Sequence, residues 1–259
     1  DLQALHYPEY FSKIKNMWLK FSWKQCAKTA DKIIAISNFV KNDIEKQLGV
    51  ESNKVSVIYN PIIKAERKIN FDYVSNKYGI KSKEYFYTVS SLLPHKNLPV
   101  LLQMISKTKK NQIDIPSKLL ISGVGGKSES EIKKMINELG ISENIVLTGF
   151  ISDEERDVLY ENAKAFLFPS IFEGFGMPPI EALMLGTPVV TTKETSIPEV
   201  TQNKAIYVNN PFSVDEWIEK IKNIDSKIIE SKIVFECYDL EYCTKQYISY
   251  FKNIFNKEN

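Results

Sequence analysis

The chain has 259 residues, 43% hydrophobic and 25% charged, which is long enough for one large domain or two modest ones. Its 34 basic and 32 acidic residues leave a net charge of +2, so no global field selects a nucleic-acid partner. Two histidines, three cysteines without metal-ligand spacing and no apolar run near the ~18 residues of a membrane span argue against a metal centre and an integral membrane protein, and fit free thiols in a reduced cytoplasmic compartment.

In chain order, residues 9–29 mix aromatics (Tyr10, Phe11, Trp18, Phe21, Trp23) with lysines (Lys13, Lys15, Lys20, Lys24, Lys28) and predict a helix with an apolar and a basic face. Such a helix docks on an anionic membrane surface or packs on its own domain with its lysines in solvent; packing is the simpler expectation. Asp31–Ser37 predicts a buried strand and Asn38–Leu48 a helix, with Ser37 as N-cap and Gly49 as stop. Lys54–Tyr59 predicts another strand, and the polar, basic stretch Ile62–Asn76 a domain linker.

A regular alternation follows. Strands are predicted at Tyr85–Ser90, Lys118–Ser122, Asn144–Thr148, Ala165–Phe168, Pro188–Thr192 and around Ile206–Val208. Between and after them come helices at Leu98–Thr108, Glu129–Leu139, Asp153–Asn162, Pro179–Leu185, Val214–Ile224 and Leu240–Phe255. Apolar strands alternating with helices imply an α/β fold with a Rossmann-like, doubly wound parallel sheet covered on both faces. The expected organisation is residues 1–66 as the tail of one Rossmann-like domain plus linker, residues 67–235 as a second, ligand-binding Rossmann-like domain, and residues 236–259 as a C-terminal helix packing back on the first.

In an open parallel sheet, ligands bind beyond the carboxyl ends of the strands, so the loops after the strands carry the chemistry. Ser90–Asn97 offers Lys96, flanked by His95, as a point charge for a diphosphate. The loop Ser122–Ser128 ends in Gly-Lys-Ser, but Ile121 occupies the glycine position of a P-loop and Ser128 the last glycine of a dinucleotide fingerprint, which excludes both. Its glycines, Gly123 among them, let the backbone approach a ligand or make the turn. Gly149-Phe150 ends another strand, and Ser152 predicts an N-cap with Glu155 at the capping-box position. Thr191–Glu199 lines the same ligand-facing end or forms a surface connection.

The most informative stretch is Phe168–Thr192, FPSIFEGFGMPPIEALMLGTPVVTT. It reads as strand, glycine turn, helix, strand, with Pro178-Pro179 and Glu181 expected in the first helical turn. A turn of this kind presents amides to an anion. Glu173 and Glu181, seven residues apart, can accept hydrogen bonds from hydroxyls; phosphate plus hydroxyls describes a nucleotide sugar. A carboxylate in a first helical turn also has a purely structural reading, stabilisation by the helix dipole, which covers Glu181 but not Glu173.

The pattern E-G-F-G-x-P-P-x-E-A-x-x-x-G-x-P-V-V-T resembles the E-x7-E signature of retaining glycosyltransferases of family 4 (GT4), which have the GT-B fold. VSSLLPHKNLPVLL, LLISGVGG, IVLTGFISDEERDVLY, AFLFPS and SIPEV agree with it from about Tyr85 to Val200. DKIIAISNFVKNDI and KVSVIYNPI are similar to the end of that family's N-terminal domain, and the nearest group is the bacterial mannosyltransferase-like enzymes of surface polysaccharides. The resemblance implies two Rossmann-like domains facing across a cleft, the C-terminal one holding a UDP- or GDP-sugar and the other a glycan or lipid-linked acceptor. It implies that Glu173 contacts the donor sugar, that the backbone of Gly174, Phe175 and Gly176 holds sugar and phosphate, and that Glu181 binds the ribose. It also implies that Lys96 neutralises the diphosphate, with Gly123, Gly149 and Phe150 near the nucleotide. Ser91 stands where many relatives carry an arginine and Ser90 where they carry glycine; His95 is expected to make up part of that lost charge.

The implied reaction is transfer of a sugar to an acceptor hydroxyl with retention, without metal or cofactor, in the cytoplasm or peripherally on the inner face of the membrane. Because the chain starts at Asp1 and DLQALHYPEY falls inside the family's N-terminal domain, a fragment is expected. The competing reading is a nucleotide-sugar-binding module without turnover.

Overall fold

The computed structural model describes residues 1–66, 68–224 and 232–255; the expected boundary at residue 67 lies outside them. By its contacts the chain forms two compact units. The first comprises Asp1–Ile63, Phe172–Gly176 and Phe235–Asn259, and the second Lys64–Ile171 and Met177–Val234.

The first unit begins with α1 (Gln3–His6), α2 (Lys13–Thr29), β1 (Ile33–Ala35), α3 (Asn38–Leu48) and β2 (Val55–Val57). β1 and β2 pair in parallel, Ile33 opposite Val55. Ala35, Val40 and Val55 form a small core against Phe39, Ile44 and Val57. α3 has its expected bounds: the Ser37 hydroxyl accepts from the Val40 amide, and Gly49 ends the helix at φ 67°. A side chain at that angle would be strained, which is why glycine sits there.

α2 packs on its own unit through Leu19, Trp23 and Ala27, with its lysines exposed, as expected. Ala27 is buried, but Ile14, Met17, Trp18 and Phe21 are exposed. The helix therefore also carries an apolar face that the described residues leave exposed.

The second unit contains α4 (Phe71–Tyr78), β3 (Tyr85–Val89), α5 (Leu98–Lys110), β4 (Lys118–Ser122), α6 (Lys127–Glu138), β5 (Ile145–Gly149), α7 (Asp153–Asn162), β6 (Ala165–Phe168), α8 (Met177–Met184), β7 (Val189–Thr192), α9 (Ile197–Val200), β8 (Ile206–Val208) and α10 (Val214–Lys222). The strands form one sheet in the order β5-β4-β3-β6-β7-β8, and every pair is parallel. Helices on both faces explain why β3, β4 and β6 are almost wholly apolar. Phe86, Leu119 and Ile121 pack against Leu98, Leu101, Leu102 and Ile105 of α5 and Trp217 of α10. Each fully buried side chain of this kind contributes roughly 1.5–3 kcal/mol. The chain closes with α11 (Leu240–Phe255), which belongs to the first unit.

Three local expectations are corrected. Part of the expected linker is α4, capped by Asn70, whose side chain accepts from the Tyr73 amide, stopped by Gly79 at φ 62° and seated by the fully buried Val74. α8 begins at Met177, so Glu181 lies beyond its first turn. Ser152 caps α7, but Glu155 does not complete a capping box; its carboxylate bonds Lys77 and Tyr78 of α4.

Candidate active site

In the second unit the strand order reverses direction at β3 and β6, which lie side by side while β4 and β5 extend one way and β7 and β8 the other. The loops leaving the carboxyl ends of these two strands mark the position where such sheets bind ligands. They are the Lys96 loop and the start of the glycine motif.

The two loops are tied together by backbone. The His95 carbonyl accepts from the Ile171 amide at 2.8 Å and from the Ser170 hydroxyl at 3.2 Å. Thr192 Oγ1 donates to the Ser170 carbonyl at 2.7 Å and Thr191 Oγ1 to that of Phe168 at 2.8 Å. The Thr191–Glu199 segment thereby braces the turn from β7, and its last part forms α9. Asn97 turns the chain into α5 at φ 47° while its side-chain amide donates to the Pro211 carbonyl. Lys96 projects from this braced turn with its ammonium 5.7 Å from the centre of the Phe168 ring. Ser91 is half-buried at the start of the same loop.

His95 is a correction. Its side chain is buried, and burial first, then the charge on Lys96, lowers its pKa to about 4. The ring is neutral at physiological pH and does not replace the missing arginine as a second cation.

Glu181 sits in a half-buried polar cluster in which Tyr160 is fully buried. Its Oε2 accepts from the Tyr160 hydroxyl at 3.0 Å and lies 3.5 Å from Arg156 Nε. Burial pushes its pKa up, and Arg156 and Tyr160 oppose that rise. Arg156 also bonds Asp153 at 2.7 Å, and Tyr160 stays protonated because burial raises its pKa far above the usual tyrosine range. Because Glu181 is past the first turn, the helix dipole does not account for it; a carboxylate this far withdrawn from water needs such partners. Arg156 and Tyr160 were not anticipated from sequence. Their spacing of four on α7, one above the other on the same helix face, was the available signal.

Two glycine turns stand at the ends of β4 and β5. A side chain at Gly123 (φ 88°) would put its Cβ 2.8 Å from the Ser90 carbonyl oxygen, so close approach of β3 and β4 alone demands glycine. Gly149 turns at φ 69° and leaves Phe150 84% exposed, its ring edge against Gly125.

The remaining motif residues, Phe172–Gly176, make their contacts in the first unit. Phe172 packs against the rings of His6, Tyr7 and Phe39, with centroids 5.1, 5.7 and 5.8 Å away. Phe175 packs on Tyr59 and Tyr238. The Ser37 hydroxyl donates to the Gly174 carbonyl at 2.7 Å, and a Cβ on Gly174 would meet Asp1 at 2.8 Å. Gly176 leaves the segment at φ 91°. Glu173 is the one residue of the five that is not buried. Among the described residues no group of three or more metal-binding side chains gathers, and no helix is long and apolar enough to cross a membrane.

Comparison with known proteins bears on the fold and the family. Residues 2–65 match the family described as Glycosyltransferase Family 4, and residues 71–228 match Glycosyl transferases group 1. The O-antigen chain mannosyltransferase RfbU of Salmonella typhimurium is 32% identical over 87% of this chain and 59% of its own length. The O-antigen chain mannosyltransferase B of Escherichia coli is 27% identical over 83% of this chain and 57% of its own. The chain thus spans somewhat over half the length of these curated relatives. HepE of Anabaena, solved in complex with UDP, superposes with a TM-score of 0.76 at 19% identity, over 95% of this chain and 69% of that one, and the fold is the GT-B type. With the larger part of its length matched, the chain belongs to the group 1 glycosyl transferases.

Proposed function

We propose that this protein transfers a hexose, mannose in the first instance, from a nucleoside diphosphate sugar to a hydroxyl of a growing surface glycan or its lipid-linked carrier, with retention of anomeric configuration, in the cytoplasm. The observation that carries the reading is the Lys96 loop, tied through the His95 carbonyl to Ser170 and Ile171 at the switch point of the parallel sheet, with the Lys96 ammonium over the Phe168 ring. Departure of the diphosphate develops negative charge, which Lys96 stabilises electrostatically. Glu181, its Oε2 held by Tyr160 and Arg156, accepts hydrogen bonds from the ribose hydroxyls. The motif resemblance assigns Glu173 to the sugar hydroxyls, an orienting role rather than a proton transfer, and the amides of Gly174–Gly176 to sugar and phosphate. Ser91, Gly123, Gly149 and Phe150 are assigned to the nucleotide on the same ground. The mannosyltransferases among its relatives support mannose, and the UDP complex of a structural neighbour supports a nucleotide donor.

The test is a thermal-shift panel of GDP-mannose, UDP-glucose and ADP-glucose, followed by transfer assays with the stabilising donor. Saturation to roughly 100 times the dissociation constant stabilises by about 2.7 kcal/mol. Stabilisation by none of the three would sink the proposal. The rival reading is a donor-binding module without turnover. Donor binding by calorimetry with no transfer to any acceptor would establish that rival.

A further inference from the structure

Only two of the 34 basic residues are arginines, Arg67 and Arg156. Arg156 is half-buried near the amino end of α7, where a cation opposes the helix dipole and the helix itself gains nothing from it. Its guanidinium is set among three carboxylates: Asp153 at 2.7 Å, Glu181 at 3.5 Å and Asp157 at 3.9 Å. Nε, the nitrogen that faces Glu181, is buried and makes no hydrogen bond among the described residues.

The two oxygens of Glu181 are not equivalent. Oε2 accepts from the Tyr160 hydroxyl and faces Arg156, whereas Oε1 takes no hydrogen bond from any described residue. A ribose hydroxyl donates best to an ionised carboxylate, because protonation puts a hydrogen on one oxygen and removes the charge assistance. Burial and the nearby Asp157 and Asp153 favour the protonated form of Glu181; Arg156, and after it Tyr160, favour the ionised one. Tyr87 of β3 also faces Glu181 and is neutral, because burial raises its pKa well above the usual tyrosine range. Among these groups Arg156 is the sole cation.

We propose that Arg156 is a positioning residue for the donor's ribose, acting through Glu181: it holds Oε2, keeps the carboxylate an anion and leaves Oε1 as the acceptor. The inference rests on the donor-binding reading above and adds a residue to it. Tyr160 orients Oε2 from a fully buried ring but brings no charge. A planar guanidinium bonds Asp153 through one terminal nitrogen while its Nε stays edge-on to Glu181; a single ammonium cannot hold both geometries. That accounts for an arginine here, in a chain whose other cations are almost all lysines.

The test is titration calorimetry of GDP and UDP, each beside its 2′,3′-dideoxy analogue, from about pH 5 to 9. The wild type should prefer the ribonucleotide, and the preference should fade on the acid side as Glu181 takes up its proton. Arg156→Gln should shrink the preference roughly tenfold at neutral pH and move the acid limb to higher pH, so that the preference returns in alkali; loss of the cation leaves Glu181 protonated over a wider range. Tyr160→Phe should move the limb the same way by less. Arg156→Lys keeps the charge but not the fork, so the limb should stay while the preference falls about threefold at every pH. Affinity for the dideoxy analogues should stay within about twofold throughout, since they lack the hydroxyls that Glu181 would bind. Parallel losses for both sugar forms without a shifted limb would mark Arg156 as merely structural and overturn the proposal while the donor reading stands. An unchanged preference in Arg156→Gln or, should that variant not fold, in Arg156→Lys also overturns it. Failure of the wild type to bind either nucleotide overturns the proposal and the donor reading together.

Discussion

The Ser37 hydroxyl donates to the Gly174 carbonyl at 2.7 Å across 137 residues of sequence, while the same oxygen accepts from the Val40 amide at 3.1 Å. One fully buried side chain therefore caps a helix and pins the Gly174–Phe175 peptide, next but one to Glu173. Ser37→Ala leaves both backbone groups without that partner. The lost cap costs about 1 kcal/mol and the stranded carbonyl about 1–3 kcal/mol. Urea denaturation should show the sum, and Ser37→Thr should recover part of it by keeping the hydroxyl. An unchanged midpoint for Ser37→Ala would show that the contact contributes nothing.

Glu181 sets a pH dependence of the folded state. Its pKa is raised by burial, so the folded protein holds this proton to higher pH than the unfolded chain does. Stability contributed by the protonated form is therefore lost as pH rises from the ordinary glutamate value through the raised one. Glu181→Gln should flatten this part of the profile and change stability at neutral pH by less than about 1 kcal/mol, because Arg156 keeps Asp153 as partner. Donor affinity should nevertheless fall. Melting temperatures from about pH 4 to 8, with and without nucleotide, separate the two effects.

His95 acts in the opposite sense. A pKa lowered from 6.5 to about 4 means that the unfolded chain takes up a proton the folded protein refuses. Stability from this group is complete above pH 6.5 and lost as pH falls toward 4, by at most about 3 kcal/mol. His95→Gln should remove that acid-side slope. A proton NMR titration of His95 with a midpoint near 6.5 would refute the assignment.

Lys96→Ala should weaken a nucleoside diphosphate by roughly 10- to 100-fold, the size of a lost charge-assisted contact. Binding of the bare nucleoside should not change. Titration calorimetry with both ligands decides the matter; equal losses would mean that the substitution disturbs the loop rather than a phosphate contact.

Much of the second unit is legible in the chain because its signals are local. α7 runs from Asp153 to Asn162 as Ser152 and the apolar pattern require, and β6 has its expected bounds. α4 was missed because a polar segment with one fully buried residue, Val74, shows little periodicity; Asn70 and Gly79 were its readable punctuation. The Glu181 cluster needed three-dimensional placement, since Arg156 and Tyr160 lie 25 and 21 residues earlier in the sequence. Periodicity gave α2 two faces but could not say which one the fold covers. For the same reason Ser37 could be read as a cap and not as the partner of Gly174.

The assignment of Phe172–Gly176 to the first unit means that the chain passes between units at four places, after residues 63, 171, 176 and 234. No single scission yields either unit whole. A piece ending at Ile63 would bare the aromatic seat of Phe172 formed by His6, Tyr7 and Phe39 and leave Ser37 without its acceptor. Chimeras that exchange donor specificity by splicing at residue 63 would carry a mismatched loop. A workable graft has to treat Phe172–Gly176 as the property of the amino-terminal parent, so the pentapeptide after β6 is inherited from the other side of the splice.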